Sequence, residues 1–319
     1  MGAVRFLAAA ALALAACAAA AQDYPPVNAR VEPVKVTSRA WYVQGNAGVA
    51  SAGNEGYNSN AGFVVTDEGV VVIDALGTPA LGNELLKAIG RITAKPVRRV
   101  ILTHYHADHF YGLKAFKDAG AEIWAHRASL EYLTGGEAGR RRAQRATELH
   151  PWVTDETPLI PADRWLDGDE AFTLGGIRFE IQQFGPAHSP EDLVVVVPQE
   201  SVVFSGDILF TGRLPFVGEA DSKAWLARID RLIGLKPRLM VTGHGAASRD
   251  PGRDLALTRD YLLFLRAEMG KAVADFVPFE EAYKRTDWSR YANLPAFEAA
   301  NRVNAYGTYL LMERESLGK

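Results

Sequence analysis

The run THYHADH, residues 103–109, places His104, His106, Asp108 and His109 almost side by side. So many imidazole and carboxylate groups in so short a stretch suit one task above others, the holding of a metal ion. Three more residues of the same kinds follow: His188 in PAHSPED, Asp207 in FSGDILF and His244 in TGHG. Each ends a strand or sits in a turn flanked by Gly, Pro or Ser. In extended chain, residues two apart point to one side. His104, His106 and Asp108 can therefore converge at the end of the strand 97–104, while Tyr105 and Ala107 point away. Asp108 also stands where a helix begins, and His109 enters its first turn. A catalytic zinc takes about three protein ligands and a structural one about four, so seven candidates exceed the needs of one ion. Two ions sharing a carboxylate use them all. The assignment is His104, His106 and His188 on one, Asp108, His109 and His244 on the other, and Asp207 bridging. These donors suit Zn2+, and also iron or manganese. His126 and His150 lie outside the pattern and read as core or surface residues.

Such a cluster needs strands to aim it, and the surrounding sequence supplies them. AGFVVTDEGVVVIDAL (61–76) is two β-rich runs around Asp67-Glu68-Gly69, a hairpin pattern. TPALGNELLKAIGRI follows with helical spacing at Leu81, Leu85, Leu86, Ile89 and Ile92. VRRVILTH reads as a buried strand, HFYGLKAFKDAG as a helix closed by Gly120, and AEIWAH as another strand. The second half follows the same logic: IRFEIQQF, DLVVVVP and SVVFSGDILF as strands, SKAWLARIDRLIGL as an amphipathic helix, PRLMVTGH as a strand. VVVIDA answers VVFSGD, each a strand delivering an aspartate, and VILTH answers MVTGH, each delivering a histidine. The order implies two related halves in an α/β layered architecture. Thr134–Trp165 reads as an insertion, and residues 251–319 as a C-terminal helical extension of a catalytic domain over 35–250.

Composition narrows the class. The chain has 319 residues, 48% apolar and 23% charged, with a net charge of -3, so it can bury a large core and carries no basic face suited to nucleic acid. In MGAVRFLAAAALALAACAAAAQDYPP, Arg5 precedes an apolar run from Phe6 to Ala16, too short to span a bilayer. Residues 1–21 read as an export signal with Ala19-Ala20-Ala21 at its cleavage site. Leu14-Ala15-Ala16-Cys17 competes as a lipobox, which would end the signal at residue 16 and put a lipid on Cys17. Cys17 is the one cysteine, so the remaining chain has neither a disulfide nor a thiolate ligand.

THYHADH, His188 in PAHSPED, Asp207 in FSGDILF and His244 in TGHG resemble the metallo-β-lactamase-fold hydrolase superfamily over about residues 40 to 250. The resemblance implies an αββα four-layer sandwich with a binuclear metal centre at one edge of two sheets. It places Asp74, in VVVIDAL, as a residue that orients a ligand rather than binding metal. The best-known antibiotic-hydrolysing members carry cysteine where this chain has Asp207; an aspartate there is similar to glyoxalase II-like thioesterases and lactonases. The run from Phe204 to Leu232 resembles exported bacterial members, some associated with sulfur-oxidation or quinoprotein systems.

The expected activity is hydrolysis of a small ester, lactone, thioester or amide, β-lactams included. A metal-bound hydroxide would attack the carbonyl and Asp108 would accept its proton. No GxSxG elbow occurs, which argues against a serine hydrolase of the α/β type. Two alternatives are a periplasmic metal-holding or partner-binding component and an iron-dependent member of the fold. Trp41, Tyr57 and Asn58 to Asn60 read either as a flap over substrate or as an ordinary turn. Arg140, Arg141, Arg142 and Arg145 read as a solvated helix face or as an attraction for anions; Tyr105, Phe110 and Tyr111 as pocket wall or core.

Overall fold

Strands that are apolar on both faces need cover on both. Phe63, Val70 and Val72 face one way and Val64, Val71 and Ile73 the other, and all six are buried. The computed structural model, which describes residues 24–318, meets this need with four layers. The export signal and Cys17 lie outside the described residues.

The first sheet holds β1 (Val34–Lys35), β2 (Ala40–Val43), β3 (Ala61–Val65), β4 (Val70–Ile73), β5 (Val97–Ile101), β6 (Glu122–His126) and β7 (Arg164–Leu166), side by side in chain order. Pairing is antiparallel through β4 and parallel from β4 to β7. Parallel neighbours need crossovers. These are α1 (Pro79–Ile92), then α2 (Ala107–Phe110) with α3 (Leu113–Asp118), then α4 (Ser129–Thr134) with α5 (Glu137–Glu148). The second sheet runs in the order β12-β11-β10-β9-β8. Its strands are β8 (Glu170–Leu174), β9 (Ile177–Gln183), β10 (Leu193–Val197), β11 (Val202–Phe204) and β12 (Leu239–Val241). The parallel pair β11 and β12 is joined by α6 (Ser222–Gly234). Then come α7 (Pro251–Ala274), α8 (Phe279–Arg285) and α9 (Phe297–Ser316).

Ile73, Ile101 and Trp124 of one sheet meet Phe179, Val195 and Phe204 of the other in the central core. Outside the first sheet, Leu81, Leu85 and Ile89 of α1 and Phe116 of α3 cover Phe63 and Val72. Outside the second, Trp225 and Ile229 of α6, Leu262 and Leu265 of α7 and Tyr309 of α9 share one core with Val194, Val203 and Met240. The sandwich is therefore αββα, as the strand pattern and the resemblance imply.

Three details differ from the sequence reading. Trp165 is not part of an interruption, because β7 pairs in parallel with β6 and continues the alternation through α4 and α5. The segment 202–210 is no single strand: β11 stops at Phe204 and Gly206–Ile208 makes a tight helical turn. The helix expected over 109–120 breaks at Tyr111–Gly112 into α2 and α3. That break has a steric reason. The turn after β4 presses on α2, with the Ala75 amide donating to the His109 carbonyl at 2.7 Å and the Gly112 amide to that of Leu76 at 3.0 Å. A Cβ on Gly112 would lie 1.8 Å from the Ala75 carbonyl oxygen.

Gly112→Ala should therefore destabilise the fold by about 1–3 kcal/mol in chemical denaturation. Gly139→Ala in α5, where a Cβ meets nothing within 4 Å, should be neutral or stabilising by up to about 1 kcal/mol. Equal effects would contradict the close approach.

Candidate metal centre

Two parallel strand pairs end at the same edge of the sandwich. β4 and β5 pair Ile73 with Ile101 and release Asp74 and the segment to His104; β11 and β12 pair Phe204 with Val241 and release Asp207 and His244. His188 comes from the loop between β9 and β10. Alternation in extended chain accounts for His104 and His106, but the helix takes over at Ala107. Asp108 is accordingly presented by the first turn of α2, beside His109.

The ligand-capable atoms gather in two groups, His104, His106, His188 and Asp207, and Asp108, His109 and His244. Asp207 stands between them. Its Oδ2 lies 3.3 Å from Nε2 of His188 and 3.3 Å from Nε2 of His244, and its Oδ1 lies 3.3 Å from Nε2 of His109. Asp108 Oδ2 is 3.5 Å from Nε2 of His244. All seven sequence candidates come together at this edge. His126, at the end of β6, and the exposed His150 do not join them.

What each imidazole does with its other nitrogen fixes which one faces the centre. His109 Nδ1 lies 3.0 Å from Asp74 Oδ2, His188 Nδ1 3.0 Å from the Phe216 carbonyl, and His244 Nδ1 2.7 Å from the Asn58 carbonyl. His104 Nδ1 lies 3.0 Å from the Thr103 hydroxyl, which itself donates to Asp74 Oδ2 at 2.9 Å. Acceptors at Nδ1 turn Nε2 of each of these four rings toward the centre. His106 instead turns Nδ1 inward, 2.9 Å from His188 Nε2. Asp74 holds a left-handed backbone, φ 61, at the turn where it reaches both Thr103 and His109. Strain of that kind, about 1–3 kcal/mol, persists where the surroundings enforce it.

Among the described residues, His104 Nε2, His109 Nε2 and Asp207 Oδ1 are buried and have no hydrogen-bond partner. Buried polar atoms are normally satisfied, so the donor set fits a divalent cation with nitrogen and oxygen ligands. Charge agrees. Burial, with neighbouring histidines, holds His104 well below the usual imidazole range and pushes His188 down to about 3. Burial would depress His109 too, but Asp207, Asp74 and Asp108 outweigh it and hold it well above that range. Burial opposes ionisation of Asp207 and Asp108, and the facing histidines overcome it, keeping both well below the carboxylate range.

The sequence model of the metallo-beta-lactamase superfamily matches residues 54–244. The chain belongs to that superfamily. Among members of this superfamily it is similar to a metallo-beta-lactamase type 2 of Elizabethkingia meningoseptica, 27% identical over 59% of this chain and 69% of that one. It is also similar to a linear primary-alkylsulfatase of Pseudomonas sp., 23% identical over 64% of this chain, but the match spans only 45% of that relative's length. A solved stereoselective inverting sec-alkylsulfatase from Pseudomonas sp. shares the fold with a TM-score of 0.68 at 20% identity, over 90% of this chain and 50% of that one.

Superfamily motifs draw the eye to the histidines; the residues that aim them are less conspicuous. The segment 57–60 is no flap, because Tyr57, Asn58, Ser59 and Asn60 are all buried. Asn58 Nδ2 donates to Asp108 Oδ2 at 2.7 Å, and Asn60 Nδ2 donates to the carbonyls of Thr242 and Gly245. This segment thus ties α2 to the turn carrying His244. Trp41 stacks on Phe63 at 5.6 Å, and Tyr105, Phe110 and Tyr111 are core. The arginines lie on α5: Arg140 and Arg145 pair with Glu137 and Glu148, Arg141 reaches Gln144, and Arg142 the Thr157 carbonyl. Arg213, buried beside His244, was not singled out by the sequence; its Nη1 donates to the Gly48 carbonyl at 2.8 Å.

Asp74→Ala should weaken metal binding by about 10- to 100-fold through His109 and Thr103, measured by competition with a chromophoric chelator. Wild-type affinity in that variant would contradict the orienting role.

Proposed function

We propose that the chain is a hydrolase holding two divalent cations, zinc by preference, with Asp207 shared between them. The observation that supports this most strongly is the convergence of bare, buried ligand atoms, His104 Nε2, His109 Nε2 and Asp207 Oδ1, at one edge of the sandwich. Two cations held there would bring a water's pKa toward neutrality and polarise the group it attacks. The protein's own part is placement and proton handling. Asp207 spaces the two groups of ligands. Asp108, whose side chain keeps 17% of its exposure, would accept the proton of the attacking water on its carboxylate. His109 and His244 hold Asp108 ionised against its burial, so a carboxylate stands there to receive that proton and release it to the leaving group.

The substrate is a small ester, lactone, thioester or amide, and the likeness to a β-lactamase brings β-lactams into the set. A sulfate ester is the second reading, supported by the likeness to a linear primary-alkylsulfatase. The composition of residues 1–21 supports export to the periplasm, or anchorage to the envelope through a lipid on Cys17.

Hydrolysis of aryl ester, lactone, thioester, β-lactam and alkyl sulfate substrates should be lost on chelation and restored by zinc. Asp207→Ala should lower kcat/KM by more than about 100-fold. Full turnover in a metal-loaded Asp207→Ala protein would contradict the shared carboxylate. Two bound ions with no turnover on any substrate would favour a metal-holding role instead.

A further inference from the structure

The last helix, α9, begins more than fifty residues beyond the region that the superfamily model matches. Its buried face carries two asparagines, Asn301 and Asn304, among apolar neighbours. A primary amide is buried without loss only when its donors and acceptor are met. Asn304 meets all of them. Its Oδ1 accepts from the amides of Val217 at 2.7 Å and Gly218 at 3.1 Å, and its Nδ2 donates to the Pro215 carbonyl at 2.8 Å and to Tyr261 Oη at 3.1 Å. Tyr261, on α7, donates in turn to Asn301 Oδ1 at 2.8 Å, and Asn301 Nδ2 donates to Tyr283 of α8 at 3.1 Å. All three C-terminal helices thus fix the orientation of one amide.

That amide grips the chain on both sides of Phe216, whose carbonyl oxygen lies 3.0 Å from His188 Nδ1. Two further contacts hold the same segment. The Leu214 amide donates to the Pro295 carbonyl at 3.0 Å, just before α9. A Cβ on Gly307 would lie 1.8 Å from the Gly218 carbonyl oxygen, so glycine there lets α9 approach its backbone. An unbroken path of hydrogen bonds runs from α8 through α7 and α9 to a histidine of the centre.

We propose that α9 is a positioning element of the metal centre. Through the Phe216 carbonyl, Asn304 fixes the tautomer and aim of His188, and with them the affinity of the site formed by His104, His106, His188 and Asp207. This rests on the reading of His188 as a ligand. The competing explanation is that Asn304 only packs the C-terminal helices.

Cobalt(II) titration of the metal-free full chain separates these, with binding at each of two steps followed beside the melting temperature. His188→Ala identifies the step to which His188 contributes. Asn304→Leu should weaken that same step by about tenfold and leave the other unchanged. Tyr261→Phe, which keeps the ring and removes only the group that orients the amide, should weaken it less and in the same direction; it decides the matter should Asn304→Leu fail to fold. A lower melting temperature with both steps at wild-type affinity would reduce Asn304 to a packing residue and overturn the inference. Wild-type binding at both steps in His188→Ala would overturn it differently, by removing His188 from the ligand set.

Discussion

A buried carboxylate ringed by three imidazole nitrogens at 3.3 Å, with one oxygen that no hydrogen bond from the described residues reaches, is unstable company for a protein interior. Desolvation disfavours its charge, and removing the surrounding histidines would leave that charge uncompensated. Asp207 tolerates this position because the imidazoles hold it ionised against burial, and because a cation between them would satisfy oxygen and nitrogen together. The fold has to bring five histidines and two aspartates from distant parts of the chain to within a few ångströms of that point.

It does so by using the same device twice. A parallel strand pair delivers an aspartate and a histidine from each half, β4 with β5 and β11 with β12. The first aspartate has become a support and the second a candidate ligand. Asp74 faces the backs of His104, through Thr103, and His109, whereas Asp207 faces their fronts. Around them, carbonyls of Asn58 and Phe216 stand at Nδ1 of His244 and His188. Asn60 anchors the first of these loops to the Thr242 carbonyl, and Asn304 holds the second from α9.

The chemistry was legible in the sequence because donor types and strand ends are local features. His104 and His106 alternate, Asp108 and His109 open a helix, and the echo between VVVIDA and VVFSGD is visible in the residues themselves. The layers were legible for the same reason: strands apolar on both faces require two covers. What escaped was tertiary. Asn58 looks like a turn residue until it meets Asp108, fifty positions away, and Asn304 meets Val217 across 87. No periodicity announces such a pair. The break between α2 and α3 likewise depends on the Ala75 carbonyl pressing against Gly112, and β7 is so short that only its pairing with β6 distinguishes it from loop.

The central proposal is that two cations would occupy this edge with Asp207 between them. Anomalous diffraction at the zinc absorption edge, from crystals of zinc-loaded protein, tests it most directly. Two peaks are expected, one about 2.0–2.1 Å from Nε2 of His104 and His188 and Nδ1 of His106, the other at that range from Nε2 of His109 and His244, with Asp207 oxygens near both. A single peak, or none, with His188 and Asp207 closed into a direct hydrogen bond, would contradict the account.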